Sequence, residues 1–146
     1  MPEKSTSKNT LLRLTLPIPP SINEQYATVG GHRVSSLAAR RFKQKVRDTL
    51  RSLERQGVLH ADLRSALRQS YLALFLDFYF TTPLKRDLDG GLKITQDALC
   101  EGLALNDNRV VDIHLTKHID PLHPHLYVEL EAIPEWQFDK EYILIT

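Results

Sequence analysis

The stretch Tyr71–Thr81 constrains the fold more than any other part of the chain. It is rich in leucine and aromatic residues, and Asp77 is its one charged residue. A nearly continuous apolar run of this length is typical of a strand covered on both faces, so it predicts the central strand of a sheet. Pro83 follows, and the strand ends before it because proline cannot donate a hydrogen bond to a neighbouring strand.

Three segments before this strand also have a recognisable pattern. Residues 11–16 alternate leucine with polar residues, which predicts a half-buried strand. Residues 24–34 predict a loop that contains two glycines and a basic pair. Residues 36–56 carry apolar side chains at spacings of three and four, as an amphipathic helix does, and a connector over 58–69 follows with one helical turn in it.

The segments after the central strand complete the predicted fold. Asp89 is the predicted N-cap of a helix over residues 90–103, and two alternating segments, 109–118 and 126–130, predict an antiparallel hairpin. We therefore expect a single α/β (α+β) domain with two layers and the order β-α-β-α-β-β. It would have a mixed sheet of about four strands and two main helices.

Length and composition restrict the kind of protein. A chain of 146 residues is the size of one domain. The net charge of +1 shows no overall excess of positive charge, so a nucleic-acid partner would need basic residues grouped on one face. The single cysteine, Cys100, favours a cytoplasmic location. The longest apolar run is too short to span a membrane. The sequence contains no glycine-rich phosphate-binding motif, so we expect no nucleotide cofactor.

The two ends of the chain differ in character. Residues 1–10 are polar and predict a disordered leader. The domain is expected over residues 11–132. The extension over 133–146 contains Trp136 and Phe138 and is too apolar for a free tail, so we expect it to pack on the core or on a second subunit.

Carboxylates follow the central strand at a spacing that suggests a metal site. Asp87 and Asp89 would point to the same side of an extended chain, where two like charges need a cation or a proton to compensate them. With Asp107 they supply the oxygen ligands that Mg²⁺ prefers, for one or two ions able to activate a water and stabilise a leaving 3′-oxygen. Lys93 could neutralise charge in the transition state.

Other interpretations of these residues stay open on spacing alone. Asp89 can serve only as a helix cap, and Asp107 can serve only in an Asx-turn. A histidine group near the C-terminus does not match the ligand spacing of zinc motifs, so solvated or core histidines are the better interpretation. These are His114, His118, His123 and His125. Cys100 lacks a local nucleophile signature and is expected half-buried on a helix.

Positive side chains are grouped along the predicted helix and beside the aspartates. A basic helix face is often only solvated surface, but the sign bias here also favours contact with a nucleic-acid backbone. The residues predicted to contact DNA are Arg33, Arg40, Arg41, Lys43, Arg47, Lys85 and Arg86.

Several motifs together resemble the RusA-type Holliday junction endodeoxyribonucleases, over roughly residues 11–131. The first is the strand and turn Leu-Thr-Leu-Pro-Ile-Pro-Pro-Ser-Ile-Asn at 14–23, followed by the basic helix. The most specific is Arg-Asp-Leu-Asp at 86–89 with Lys93 and Asp97-Ala98-Leu99 after it. Asn106-Asp107 and Val110-Val111-Asp112 complete the series.

This resemblance implies a magnesium-dependent homodimer, with Mn²⁺ as a possible substitute. Such an enzyme cuts four-way DNA junctions by paired, symmetric incisions during recombination and repair, and leaves ends that a ligase can seal. Asp87, Asp89 and Asp107 match the family's essential carboxylates and metal ligands, and Lys93 matches its essential lysine.

The sequence departs from the family pattern in three places. Gly90 stands where better-known members carry Asn, the segment 100–106 is one residue shorter, and the chain continues beyond Ile133.

Two other functions stay open. One is a DNA-binding protein that has lost turnover, and the other is a metal-dependent hydrolase of small nucleotides.

Overall fold

A computed structural model describes residues 10–84 and 86–140 of the chain. Its strands and helices, in chain order, are β1 (Leu11–Leu16), β2 (Tyr26–Val29), β3 (His32–Ser35), α1 (Leu37–Arg55), α2 (Ala61–Gln69), β4 (Tyr71–Phe80), α3 (Leu92–Leu103), β5 (Val110–Ile119) and β6 (His125–Ile133). Two short 3₁₀ turns, Ile22–Glu24 and Asp107–Arg109, lie between them. The predicted single α+β domain is confirmed.

Four strands form one mixed sheet in the order β1-β6-β4-β5. The apolar strand β4 lies inside it, antiparallel to β6 and parallel to β5, so its predicted central position is confirmed. Side chains alternate along the strands, and those of one face are buried, from Leu72 to Phe80 on β4 and from Leu126 to Ala132 on β6. The sheet has the mixed topology and strand number expected from the sequence.

The predicted hairpin between the last two strands is wrong. β5 and β6 follow each other in the chain, but β4 lies between them and pairs with both. Helix α3 connects β4 to β5, and a helical crossover of this kind places two strands parallel. The other edge of β4 then pairs with β6. The alternation in residues 109–118 and 126–130 was recognised correctly, but alternation does not specify a strand's neighbours.

Residues 24–34 form ordered structure where a loop was predicted. β2 and β3 pair as an antiparallel hairpin, and Gly30 and Gly31 at its turn have φ angles of 59° and 81°. A two-residue turn with both φ angles positive is the hairpin turn that glycine pairs favour, so Gly-Gly between two four-residue strands was the missed signal. The connector over 58–69 likewise contains a full helix, α2, and not one turn.

Helix α1 begins as predicted. The Ser36 side chain caps it by accepting a hydrogen bond from the Ala39 backbone N–H at 3.0 Å. Buried apolar residues of all three helices join the same core as the leucine face of the sheet. They include Phe42 and Val46 of α1, Leu63 of α2 and Leu99 of α3. Among the described helices, none is long and apolar enough to cross a membrane.

The opposite face of the sheet carries aromatic and charged side chains outside that core. Phe75 stacks on His114 with ring centroids 4.7 Å apart, and Tyr79 stacks between His118 and His125 at 4.4 Å from each. Asp77 contacts the His118 ring nitrogen at 3.1 Å. We refer to this surface as the open face, because these rings are half-buried or exposed and no described helix contributes to it.

The start of the C-terminal extension lies beside the open face. Phe138 contacts Tyr71 edge to face at 5.2 Å between ring centroids, and Trp136 contacts Phe138 at 6.0 Å. The rest of the extension, residues 141–146, lies outside the described residues. So does nearly all of the leader predicted over 1–10.

Candidate active site

The two carboxylates of the Asp-Leu-Asp motif lie on a turn between β4 and α3. The turn is closed by backbone hydrogen bonds from Gly90 N–H to the Asp87 carbonyl at 3.3 Å and from Leu92 N–H to the Asp89 carbonyl at 3.2 Å. Both aspartates are exposed, and neither side chain has a hydrogen bond or ion pair with the described residues. Their carboxylates are therefore available to a cation.

Asp89 was predicted to cap helix α3, and this prediction is wrong. The N-cap position is Gly91, which provides no side-chain cap. The glycine pair carries the chain two residues beyond Asp89 before the helix begins. This removes the interpretation of Asp89 as a helix cap only.

The segment after β1 supports this turn from behind. The Arg86 guanidinium donates a hydrogen bond to the Pro19 carbonyl at 2.8 Å. Gly91 is buried against the Pro19 ring, and a Cβ atom at position 91 would overlap that ring. The Pro-Pro segment of the first motif therefore lies directly against the Asp-Leu-Asp motif.

Lys93 brings two more carboxylates into the site. Its ammonium nitrogen lies 2.9 Å from the Asp97 carboxylate, one helical turn along α3, and 3.8 Å from the Asp107 carboxylate. The hydrogen bond to Asp97 and the negative charges of Asp97 and Asp107 raise the pKa of Lys93. Lys93 is thus held as a cation beside Asp107, and the predicted Lys93 and Asp107 are brought together.

Asp107 lies at the start of the 3₁₀ turn before β5. The side chain that closes this turn is Asn106, whose carbonyl oxygen accepts a hydrogen bond from the Asn108 backbone N–H at 3.1 Å. The Asx-turn therefore belongs to Asn106, and the Asp107 carboxylate is directed to Lys93. Its side chain is 44% exposed, which leaves an oxygen accessible to a further ligand.

Within the described residues, no three acidic, histidine or cysteine side chains come close enough together to form a metal cluster. The donor chemistry nevertheless fits Mg²⁺, which prefers carboxylate oxygens, keeps several waters and commonly takes only one or two protein carboxylates beside substrate phosphate. Asp87 and Asp89 meet this requirement, since both are exposed and neither side chain has a hydrogen bond or ion pair with a described residue. The predicted metal ligands thus remain a prediction that the local chemistry permits.

Two residues of the site were given no role from the sequence, although Asp97 belongs to the motif that includes Lys93. Asp97 holds Lys93, and the signal was present, since a lysine and an aspartate four residues apart share one helix face. Gln25 is buried at 4% exposure and donates hydrogen bonds to the carbonyls of Pro20 and Gly90, both at 3.0 Å. No local pattern marks Gln25, because its partner Gly90 is 65 positions away.

The basic residues predicted to contact DNA have different surroundings. Arg40 and Arg41 are exposed near the start of α1, whereas Lys43 pairs with Glu101 at 3.1 Å. The guanidinium of Arg33 lies over the Tyr26 ring at 4.0 Å from its centroid. Arg47 donates to Gln44 at 2.7 Å, Arg86 is held by Pro19, and Lys85 lies outside the described residues.

A narrow cleft connects the β2–β3 hairpin to Lys93. It is lined by Tyr26 and Ser35 of the hairpin, Lys43 of α1, and Lys93 and Asp97 of α3. A second depression, open to solvent, continues past Asp97 to Asp107. The site is therefore a surface groove with a basic helix at its side.

Cys100 borders the depression that contains Asp97 and Asp107, but it is not a candidate nucleophile. Cys100 is buried on α3, and desolvation, followed by the charges of Asp107 and Asp97, raises its pKa to about 11, so the thiol is protonated at neutral pH. A protonated, buried thiol is a poor nucleophile. Three of the four histidines, His114, His118 and His125, lie on the open face in stacking contacts.

The chain matches a known protein family over most of its length. The family model of the endodeoxyribonuclease RusA matches residues 17–131. That range includes the Pro-Pro segment, the hairpin, the basic helix and the whole groove. Comparison with curated proteins gives no match. Because the family match spans most of its length, the chain belongs to the RusA family of endodeoxyribonucleases, DNA-binding nucleases that act on Holliday junctions.

Proposed function

We propose that this protein is a magnesium-dependent, homodimeric endonuclease that resolves four-way DNA junctions by paired, symmetric incisions. We place it in the cytoplasm, in DNA recombination and repair. The observation that carries the proposal is Lys93, held as a cation between Asp97 and Asp107 in an open groove beside the exposed Asp87–Asp89 turn. The membership in the RusA family supports the same reaction.

In this proposal Asp87, Asp89 and Asp107, which are not clustered in the described structure, would hold Mg²⁺ or Mn²⁺ together with the phosphate oxygens of the substrate. The bound metal would supply an activated water and stabilise the leaving 3′-oxygen. The carboxylates suit this task because a hard cation prefers oxygen donors and the Asp87 and Asp89 side chains have no competing partner among the described residues.

Lys93 acts as an electrostatic group and not as a base. A general base must be able to lose its proton near the working pH, whereas the hydrogen bond to Asp97 raises the pKa of Lys93 above its already high ordinary value. A fixed positive charge at this position would stabilise the charge that develops on the phosphate in the transition state. Asp97 keeps the ammonium group aimed into the groove.

The hairpin and helix α1 would guide DNA to this groove. Tyr26 and Arg33 share one face of the hairpin, and Tyr26 lines the cleft that contains Lys93. Arg40 and Arg41 extend the positive surface along α1. Contacts of this kind neutralise phosphates and release counterions, so junction affinity should fall steeply as salt rises.

The open face is the proposed dimer interface. It carries half-buried rings at Phe75 and Tyr79 together with acids such as Asp77 of β4 and bases such as Arg13 of β1. A twofold contact places one surface against itself, which a face with both signs of charge can satisfy. In this arrangement residues 11–132 form the nuclease domain, and residues 133–140 of the extension pack along the edge of the interface.

The groove argues against a hydrolase of small nucleotides. Pockets for small ligands usually enclose most of the ligand surface, whereas this groove is open and bordered by a basic helix. A protein that only binds junctions would not require the Lys93 and Asp107 pairing that the chain retains.

Strand-specific labelling of a synthetic four-way junction tests the proposal. We expect nicks in two strands of the same polarity at symmetry-related positions, with ends that DNA ligase seals. A linear duplex of the same sequence should stay uncut. Cutting of both substrates at equal rates, or cleavage at unrelated positions, would contradict a junction-resolving dimer.

A further inference from the structure

The buried polar side chains of the described residues are few, and two of them serve the same turn. They are Gln25, Ser70 and Thr95. Gln25 donates a hydrogen bond to the Gly90 carbonyl, and the Thr95 hydroxyl donates one to the Gly91 carbonyl at 2.7 Å. These are the two carbonyl groups that directly follow Asp89. The concentration of buried hydrogen bonds there points to a requirement for fixed geometry.

Gln25 differs from Thr95 because its carboxamide connects parts of the chain that are distant in sequence. The NH₂ group has two donors, and both are used, one for the Pro20 carbonyl and one for the Gly90 carbonyl at 3.0 Å. The backbone carbonyl of Gln25 accepts from the Ser36 N–H at 2.9 Å, which closes the base of the hairpin. One residue thus ties the hairpin base and the Pro-Pro segment to the carboxylate turn.

The other contacts of the turn are mostly its own or come from the Pro-Pro segment. Among the described residues, the Asp87 and Asp89 side chains have no hydrogen bond or ion pair that would hold them in place. The turn is held by its two backbone hydrogen bonds, the Arg86 bond, the Pro19 ring against Gly91, and the hydrogen bonds of Gln25 and Thr95. Of these, only the Gln25 bond comes from the hairpin side of the groove.

We propose that Gln25 is a positioning residue, whose carboxamide fixes the Asp87–Gly91 turn and thereby sets the two carboxylates for the metal. This inference rests on the proposed function, because it assigns the turn its metal. Removing a group that hydrogen-bonds to a metal ligand commonly weakens metal binding by about 10- to 100-fold. Gln25 would act in this way through the backbone of the turn.

The test compares Gln25→Met with Gln69→Met. Methionine keeps the length of the side chain and removes its donors. Gln69 is a matched control, because its amide also donates a hydrogen bond, at 3.1 Å to Ser65, but it is exposed on α2 and away from the groove. Three properties are measured: hydrogen exchange of residues 86–92 in metal-free protein, Mn²⁺ affinity by electron paramagnetic resonance without DNA, and junction affinity in chelator.

We expect Gln25→Met to speed exchange in residues 86–92 selectively and to weaken Mn²⁺ binding about tenfold or more. Junction affinity should change little, since the basic surface is intact. Gln69→Met should match the wild type in all three measurements. If Gln25→Met does not fold, Gln25→Asn is read in the same way, because its shorter amide cannot reach both carbonyls.

Two results would overturn the inference. One is unchanged exchange and unchanged Mn²⁺ affinity in the variant. The other is exchange that rises equally over the sheet and the turn, because Gln25 would then contribute only to global stability. A wild type that neither binds Mn²⁺ nor cuts junctions would instead refute the proposed function, and the exchange of the turn would still report on what Gln25 holds.

Discussion

At the scale of single residues, the site depends on how Lys93 is held. Its ammonium group lies 2.9 Å from Asp97 and 3.8 Å from Asp107, so it reaches both a carboxylate of its own helix and one that follows the helix. The raised pKa keeps it charged throughout the neutral range. A permanent cation at this position is suited to stabilising the negative charge that develops on a phosphate in the transition state.

We therefore predict that Lys93→Ala lowers the single-turnover cleavage rate by about 10²- to 10³-fold, as for loss of one preorganised electrostatic group. Junction binding and Mn²⁺ binding should persist, because neither the basic helix nor the carboxylates are removed. Lys45→Ala, which removes an exposed lysine of α1, is the control for loss of one positive charge and should cut normally. A marked loss of Mn²⁺ affinity in Lys93→Ala would refute the role assigned to Lys93.

Cys100 makes a separate prediction about pH. Burial raises the pKa of its thiol from 9.0 to about 11. Below pH 9 the thiol is protonated in both the folded and the unfolded state, so its contribution to stability is constant. Between pH 9 and about 11 the unfolded thiol loses its proton first, and the free energy of unfolding should fall as pH rises.

Urea unfolding at several pH values, for wild type and Cys100→Ser, measures this contribution, because a serine hydroxyl does not ionise in that range. The difference in stability between the two proteins should shrink as pH rises above 9. A difference that stays constant to pH 11 would show that the folded state does not resist ionisation of this thiol.

The sequence singled out candidate residues for the site but not the contacts that hold them. Asp87, Asp89, Lys93 and Asp107 could be selected because residue type and spacing imply chemistry. The Gln25 bond to Gly90 could not, since it spans 65 positions and belongs to no periodic pattern. Likewise Arg86 was selected for its charge, and only the fold shows its bond to Pro19.

Among the structural elements, the Pro-Pro segment packs so closely against the carboxylate turn that position 91 requires glycine. A Cβ atom on Gly91 would overlap the Pro19 ring, whereas a Cβ on Gly90 would make only an ordinary contact, 3.5 Å from the Asp87 carbonyl oxygen. The two adjacent glycines therefore have different roles. Gly91 permits close packing, and Gly90 has room for a side chain.

Gly91→Ala should destabilise the fold by about 1–3 kcal/mol, as overpacking does, and should slow cleavage because the turn must shift. Gly90→Ala is the matched control and should retain both stability and cleavage. Thermal unfolding and single-turnover cleavage measure the two effects. Equal behaviour of the two variants would show that Pro19 yields without moving the turn.

Strand pairing marks the limit of prediction at this scale. Each strand of the main sheet was predicted from an apolar run or from an alternation of apolar and polar residues. The predicted pairing of β5 with β6 was wrong, because β4 lies between them. Local patterns identify which face of a strand is buried. They do not predict which strand lies beside another, because the position of β5 depends on the path of helix α3.

For the molecule as a whole, the proposed paired incision needs two copies of the chain. The open face has rings at Phe75 and Tyr79 that no described helix covers, and a twofold dimer would cover them. Two equivalent grooves would then address two symmetry-related strands of a junction. The dimer is therefore part of the proposed mechanism and not an addition to it.

Phe75→Lys should convert the protein to a monomer in sedimentation velocity experiments, because a dimer would bury two unpaired charges at the interface. Val34→Lys, at a 41% exposed position of the hairpin, is the control and should remain dimeric. Paired incision should be lost with Phe75→Lys. A Phe75→Lys protein that stays dimeric would place the interface elsewhere on the molecule.

Metal-dependent junction resolution is tested by cleavage of a synthetic four-way junction beside a linear duplex. Each substrate is incubated with Mg²⁺ or with chelator, using wild type and Asp89→Asn. We predict that only the wild type with Mg²⁺ cuts, that it cuts only the junction, and that Asp89→Asn still binds it. Tight junction binding by the wild type without cutting in Mg²⁺ or Mn²⁺, or full activity of Asp89→Asn, would contradict the account.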